Sequence, residues 1–509
     1  MATSTSPSIR PPAPASTAST ALLTDHYELT MLQAALRSGT ASCQVVFEVF
    51  ARTLPAGRRF GVVAGIGRLL DALAAFRFET AELAFLREAG IIDDATTDYL
   101  AGYRFSGDIH GFAEGEPFMP NTPVLVVEGT FAECVLLETL VLSVLNHDSA
   151  IAGAGARMVA AAAGRPCIDM GSRRAHEQAA VAAARTAYLV GFTSTSSLEA
   201  GRRWGIPTTG TAAHAFTLLY PSERAAFAAQ VATLGVDTTL LVDTYDVPAA
   251  IATAVEVAGP RLGAVRLDSG DLAVTARAVR AQLDSLGATD TRIIATGDLD
   301  EHLISRLAQV PIDGYGVGTK LVTGSGAPTA GFVYKLVEVD SRPVAKASVG
   351  KSTKGGRKQV TRHHDRNGVA VADVVTIHTS GSATGVSPVH VDAPGTPSTD
   401  VISADHAADH AAGTGLHPAG RGESCLDRPL LVPLVRGGRV LNANPAGAES
   451  LLAARSHHEA ALASLPTHAR SVAYGGPCLP VITAGQPSGQ SSAPSTALVR
   501  GTGAQTGTS

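Results

Sequence analysis

Val265-Arg266-Leu267-Asp268-Ser269-Gly270-Asp271, Ile294-Ala295-Thr296-Gly297-Asp298 and Gly314-Tyr315-Gly316-Val317-Gly318-Thr319 decide the fold. Each is a short apolar run that stops at Gly, Ser or Thr beside a charge. Parallel strands end this way where they deliver loops to a polar ligand. The stretches between them read as helices, Leu272 to Leu286 and Asp300 to Leu307. Upstream, Thr239-Leu240-Leu241-Val242-Asp243-Thr244 is a strand ending in an acid and a hydroxyl. Helix Val247 to Val257 follows, closed by Gly259-Pro260. A repeat of about 25–30 residues is one βα unit. Units in series predict a parallel sheet, and spacing alone leaves open whether it closes into a barrel.

Around this region, 154–339, the chain changes character. From Leu22 to Gly153, Val45 to Phe50 and Val124 to Phe131 are strand-like, and Glu133 to Leu145 has helical spacing. Thr24 or Asp25 is expected to cap a helix there. From 340 to 483 the chain is more polar. Leu430 to Val435 reads as a strand resuming the fold, and Glu449 to Leu465 as a helix stopped by Pro466. Residues 1–20 and 484–509 are low in complexity and expected to be disordered, and 380–421 reads as a loop-like insertion.

The bulk numbers narrow the function. The 509 residues allow two or three domains, and 45% hydrophobic with 17% charged residues is globular. A net charge of −5 gives no reason to expect nucleic acid or an anionic membrane as partner. The five cysteines are dispersed and form no CxxC pair, which points to a reducing, cytoplasmic setting. No apolar run is long enough to span a membrane, and the first twenty residues lack a signal peptide's apolar segment.

His214 stands in Gly210-Thr211-Ala212-Ala213-His214, among small residues that leave its imidazole accessible. A neutral imidazole is a competent nucleophile toward phosphorus. Arg266 suits a bidentate carboxylate or phosphate, and Asp268 and Asp271 suit sugar hydroxyls or Mg²⁺. Asp268 or Ser269 also reads as the cap of the following helix. Thr296-Gly297 and Gly316-Val317-Gly318-Thr319 are phosphate cradles in which glycine lets backbone amides approach an anion. After the strand Cys167-Ile168-Asp169-Met170, the pair Arg173-Arg174 opens a helix as a solvated face or a pyrophosphate clamp. Gly350-Lys351-Ser352 invites a P-loop reading, which fails because Ala345 stands where the pattern needs glycine.

Five blocks in order resemble the motifs of the nicotinate phosphoribosyltransferase family. They are Asp25 to Met31, Gly171 to Arg174, Gly210 to His214, Arg266 to Asp271 and Gly316 to Thr319. The resemblance implies an irregular α/β barrel of the type II phosphoribosyltransferase kind, with an open β-sandwich domain from both chain ends. It implies ATP-coupled synthesis of nicotinate mononucleotide from nicotinate and phosphoribosyl pyrophosphate in NAD salvage. It further implies a Mg²⁺ requirement and a homodimer with shared active sites.

By the same resemblance His214 is the phosphorylated histidine. Tyr27, from the partner subunit, and Thr211 contact nicotinate, with Arg266 on the same side. Thr319 contacts the phosphoribosyl substrate, and Asp268, Gly297 and Gly318 hold ribose and 5′-phosphate. The hydroxyl run Thr193 to Ser197 stands where nicotinamide-using relatives place an acid, which favours nicotinate, because hydroxyls donate to a carboxylate. Met170 replaces a stacking Phe.

Overall fold

The computed structural model describes residues 18–346, 353–378, 427–473 and 475–484. The expected arm up to residue 17, the Gly350-Lys351-Ser352 stretch, the 380–421 insertion and the tail from 485 lie outside the described residues. Ser19 and Thr20, assigned to the arm from sequence, belong to the fold. Their hydroxyls donate to Arg77 O and Ala72 O.

The βα repeat builds a six-stranded parallel sheet. Its strands are β1 (Cys167–Asp169), β2 (Ser194–Thr195), β3 (Thr239–Leu241), β4 (Ala264–Leu267), β5 (Arg292–Ala295) and β6 (Gly314–Val317). Their order is β2-β1-β6-β5-β4-β3. Leu240, Val265, Leu267, Ile293 and Val317 are fully buried and share one core with the surrounding helices. Edge strands β2 and β3 do not pair with each other among the described residues, so the curled sheet is an irregular barrel with one open seam. Residues 207–209 run beside β2: Thr195 N donates to Pro207 O and Thr209 N to Thr195 O, each at 3.0 Å.

Helix starts follow the expected capping chemistry, with one correction. Asp246 and Asp300 cap helices Val247–Ala258 and Glu301–Leu307. The cap of helix Leu272–Ser285 is Asp271, not Asp268 or Ser269. Gly270 at φ 76° turns the chain so that Asp271 Oδ1 meets the amides of Ala273 and Val274. Asp268 is thereby left free to face the sheet's carboxyl end.

Both ends of the chain form the second layer system. A seven-stranded antiparallel sheet runs in the order Arg342–Pro343, Phe332–Val339, Gln44–Ala51, Leu125–Thr130, Asp108–Gly111, Val432–Arg436, Arg439–Val440. A four-stranded sheet runs Arg428–Pro429, Arg357–His364, Ala370–His378, Val481–Ala484. The two share an apolar core in which Val360 and Val375 join Phe47, Val49 and Val127. This is the expected open sandwich.

The expected helix Glu133–Leu145 is two helices, Phe131–Val135 and Glu138–Ala161. The ladder tightens at the junction, where Leu137 N donates to Cys134 O. The second helix runs 24 residues, through the sequence-based boundary at 153–154, and ties the sandwich to the barrel.

A buried ionic cluster clamps the sandwich. Arg362, with 0% exposure, donates to both Asp373 oxygens and, at 2.7 Å, to Glu116 Oε1. Arg428 and His457 also bond to Glu116. Burial alone would raise the Glu116 pKa, but bonds from His457 and Arg428 and the charge of Arg362 outweigh it and hold it down to about 2. Glu116→Leu strips the buried Arg362 of one of its two carboxylate partners, leaving Asp373, and is expected to cost about 1–3 kcal/mol at neutral pH. That stabilisation is complete above the ordinary value of 4.5 and is lost as pH falls through about 2, so the gap to the parent should close on acidification. Thermal midpoints measured at both ends of that range check this, and equal midpoints at pH 7 would refute it.

Candidate active site

The loops that matter leave the carboxyl ends of the parallel strands. Along β4, Val265 and Leu267 point into the core, so alternation turns Arg266 to the other side. Asp268 follows at the strand's end, and the Thr296 hydroxyl donates to its carboxylate. Gly297 has φ 100°, and a Cβ there would meet Asp268 O at 2.3 Å. Gly316 is equally confined, since a Cβ would meet Met170 Sδ and Thr296 Cγ2 at 2.6 Å each. These two glycines let the loops after β1, β4, β5 and β6 close on one another. Together they line a cleft of about 200 Å³ with Met170, Arg173, Arg174, Arg266, Asp268, Thr296, Gly297, Asp298, Gly316, Gly318 and Thr319.

The open seam carries the rest. Thr211 Oγ1 accepts a 2.5 Å bond from Arg266 Nη1, which ties the loop after β2 to β4. His214 begins helix His214–Leu219, with 41% of its side chain exposed. Its Nδ1 lies 3.1 Å from Thr244 Oγ1. Its Nε2 stands 3.9 Å from Asp268 Oδ2 and 4.0 Å from Asp243 Oδ1, too far for hydrogen bonds.

Asp243 is the residue that sequence reasoning did not assign. Its Oδ2 accepts from Asp268 N and Ser269 Oγ, both at 2.8 Å, so it fixes the β4 loop. Its Oδ1 is buried and, among the described residues, has no hydrogen-bond partner. Arg266 Nε is in the same condition. Burial lowers the Arg266 pKa, against the pull of Asp268 and Asp243. A buried cationic donor and a buried anionic acceptor therefore both lack partners at one site, and each group suits a polar ligand.

The hydroxyl run is mostly committed within the fold. Thr193 donates to Cys167 O, Thr195 to Asp169 Oδ2, and Ser197 caps helix Leu198–Trp204. Ser196 meets another hydroxyl, with its Oγ 3.1 Å from Ser172 Oγ. Arg173 and Arg174 sit in the turn after β1, three and two positions ahead of the His176 cap, rather than opening the helix itself. Asp271 borders an adjoining cleft of about 440 Å³ that shares Asp268, Gly297 and Asp298 with the first. Tyr27 lies elsewhere, on helix His26–Ser38, where burial and Glu138 raise its pKa while 44% of the residue stays exposed. Among the described residues no group of three or more His, Cys, Asp or Glu side chains forms a metal cage, and no helix is long and apolar enough to cross a membrane.

A curled parallel sheet with its site at the strands' carboxyl ends, beside a sandwich from both chain ends, is the type II phosphoribosyltransferase fold. The structure of human nicotinic acid phosphoribosyltransferase matches it with a TM-score of 0.70 at 25% identity, covering 91% of this chain and 98% of that one. Residues 22–146 match the model of the nicotinate phosphoribosyltransferase N-terminal domain. Nicotinate phosphoribosyltransferase pncB1 of Mycobacterium tuberculosis is 52% identical over 472 residues, covering 91% of this chain and 95% of that protein. Nicotinate phosphoribosyltransferase of Bacillus subtilis is 39% identical over 360 residues, covering 68% and 73%. The chain belongs to the nicotinate phosphoribosyltransferase family.

Gly297→Ala tests the cleft's construction. The new methyl group must displace Asp268, so kcat/KM is expected to fall on the order of 100-fold while circular dichroism stays native. Unchanged steady-state kinetics would show that this turn does not set the site.

Proposed function

We propose that the chain joins nicotinate to phosphoribosyl pyrophosphate, yielding nicotinate mononucleotide and pyrophosphate, with ATP hydrolysed to ADP and phosphate in the same cycle. The observation that carries this reading is Arg266, whose buried Nε lacks a partner at the cleft while Nη1 orders Thr211. A planar carboxylate satisfies such a guanidinium by two parallel bonds. Thr211, held beside Arg266, adds a hydroxyl for the same group.

In the transfer step the nicotinate nitrogen forms a bond to the sugar's C1 as the C1–O bond to pyrophosphate breaks. Arg173 and Arg174 neutralise the departing charge, and Asp268 holds ribose hydroxyls with Asp271 beside it. The amides of Gly297, Gly316, Gly318 and Thr319 take the 5′-phosphate, while the Thr296 hydroxyl steadies the Asp268 carboxylate beside them. The unpartnered Asp243 Oδ1 and the neighbouring Asp268 fit a hard cation, and would hold Mg²⁺ that supplies further charge neutralisation to the pyrophosphate.

Coupling falls to His214. Thr244 Oγ1 accepts the Nδ1 proton, which leaves the Nε2 lone pair to form a bond to the terminal phosphorus of ATP as the bond to ADP breaks. Water then cleaves the phosphohistidine. A homodimer with Tyr27 reaching the partner's site belongs to the same reading. Exposed Leu22, Leu23, Tyr27 and Met31 on one surface, and Leu218, Leu219 and Tyr245 beside His214 on another, support it. Cytoplasmic NAD salvage is the setting that fits these substrates.

Nicotinate mononucleotide should form without ATP. ATP should strengthen use of phosphoribosyl pyrophosphate by about 5–150-fold, the usual span of such coupling. Protein treated with γ-labelled ATP should carry acid-labile, base-stable label. His214→Ala should lose the label and the ATP effect but keep slow synthesis, and label surviving in that variant would sink the assignment.

A further inference from the structure

Two turns of the cleft meet again at a point away from it. Helix Glu301–Leu307 begins just after the Gly297-Asp298 turn. Helix Thr319–Val322 begins just after Gly318, and Thr323 returns to Thr319 O through its amide at 3.1 Å and its hydroxyl at 2.8 Å. Ser325 follows at φ 52°, ψ 46°, a left-handed conformation that a serine keeps only when its surroundings impose it.

What imposes it is Glu301. Ser325 Oγ donates to Glu301 Oε2 at 2.6 Å, and Arg157 Nε donates to Glu301 Oε1 at 3.0 Å. Arg157 also donates to Gly57 O and Val472 O, so the contact reaches back into the sandwich loops. Next to it, Arg58 donates to Ala150 O and Gly324 O. Burial lowers the Arg58 pKa to about 10, with Glu301 opposing and Arg157 adding to the fall, so one carboxylate faces two buried guanidinium groups.

We infer that Glu301 is a positioning residue. It fixes the Gly297-Asp298 and Gly318-Thr319 turns at one spacing, so that the ribose and the 5′-phosphate of the donor are gripped as a rigid pair. The inference rests on the reading that this cleft takes phosphoribosyl pyrophosphate. It adds a residue that touches no substrate, and it makes the sandwich junction part of the site's geometry.

Ser325→Gly separates positioning from simple stability. Glycine relieves the left-handed backbone and so offsets the lost hydrogen bond, and the thermal midpoint should stay close to the parent's. Loss of the hydroxyl should nonetheless raise KM for phosphoribosyl pyrophosphate by about tenfold while KM for nicotinate stays at the parent value. Glu301→Gln keeps an acceptor for Ser325 and should give an intermediate rise. Parent KM values in Ser325→Gly, or a Glu301→Gln protein whose kcat falls with its folded fraction while KM is unmoved, would overturn the inference. A parent enzyme that does not use phosphoribosyl pyrophosphate would remove the functional reading instead, and the positioning role of Glu301 with it.

Discussion

The barrel depends on a seam that side chains hold shut. Between β2 and β3 there is no strand pairing among the described residues, and continuity comes from Arg266 bonding Thr211 and from His214 bonding Thr244. A closed ladder would have paired the backbone groups of β2 and β3 with one another. Leaving it open allows a polar loop to enter the barrel's end and bring an imidazole within 4.0 Å of two carboxylates. The groups that close the fold are therefore the groups that line the proposed ligand site. On that reading Arg266 Nε and Asp243 Oδ1 lack partners among the described residues because full internal satisfaction would leave no place for a substrate.

The cleft's opposite wall obeys a different constraint. There the strands pair regularly, and the loops approach each other so closely that Gly297 and Gly316 have no room for a side chain. One wall is thus built of charged side chains, while the other is closely packed backbone. Membership of the nicotinate phosphoribosyltransferase family gives this division a meaning. A glycosyl transfer needs a rigid grip on the sugar phosphate and a charged surface where the leaving group departs.

Much of this was legible in the residues. The three stretches ending at Asp268, Thr296 and Gly318 showed strands and ligand loops together, because an apolar run ending in glycine, hydroxyl and charge serves both purposes. Local rules failed where conformation decided the outcome. Asp268 or Ser269 reads as the cap from sequence, and only the turn at Gly270 hands that role to Asp271. The break at Leu136–Leu137 hid inside a continuous apolar pattern. Asp243 was visible as an acid at a strand's end, but nothing in spacing places it beside His214. Glu301 reads as an ordinary acid in a helix's first turn, whereas its partner Arg157 lies 144 residues away.

Thr244 holding Nδ1 and the open approach to Nε2 form the account's centre. Nitrogen-15 NMR of the protein incubated with MgATP, with histidine labelled, reads which ring nitrogen bears phosphorus. Phosphorus on Nε2 of His214 is the result this arrangement requires. Phosphorus on Nδ1, or on a residue away from the seam, would contradict it.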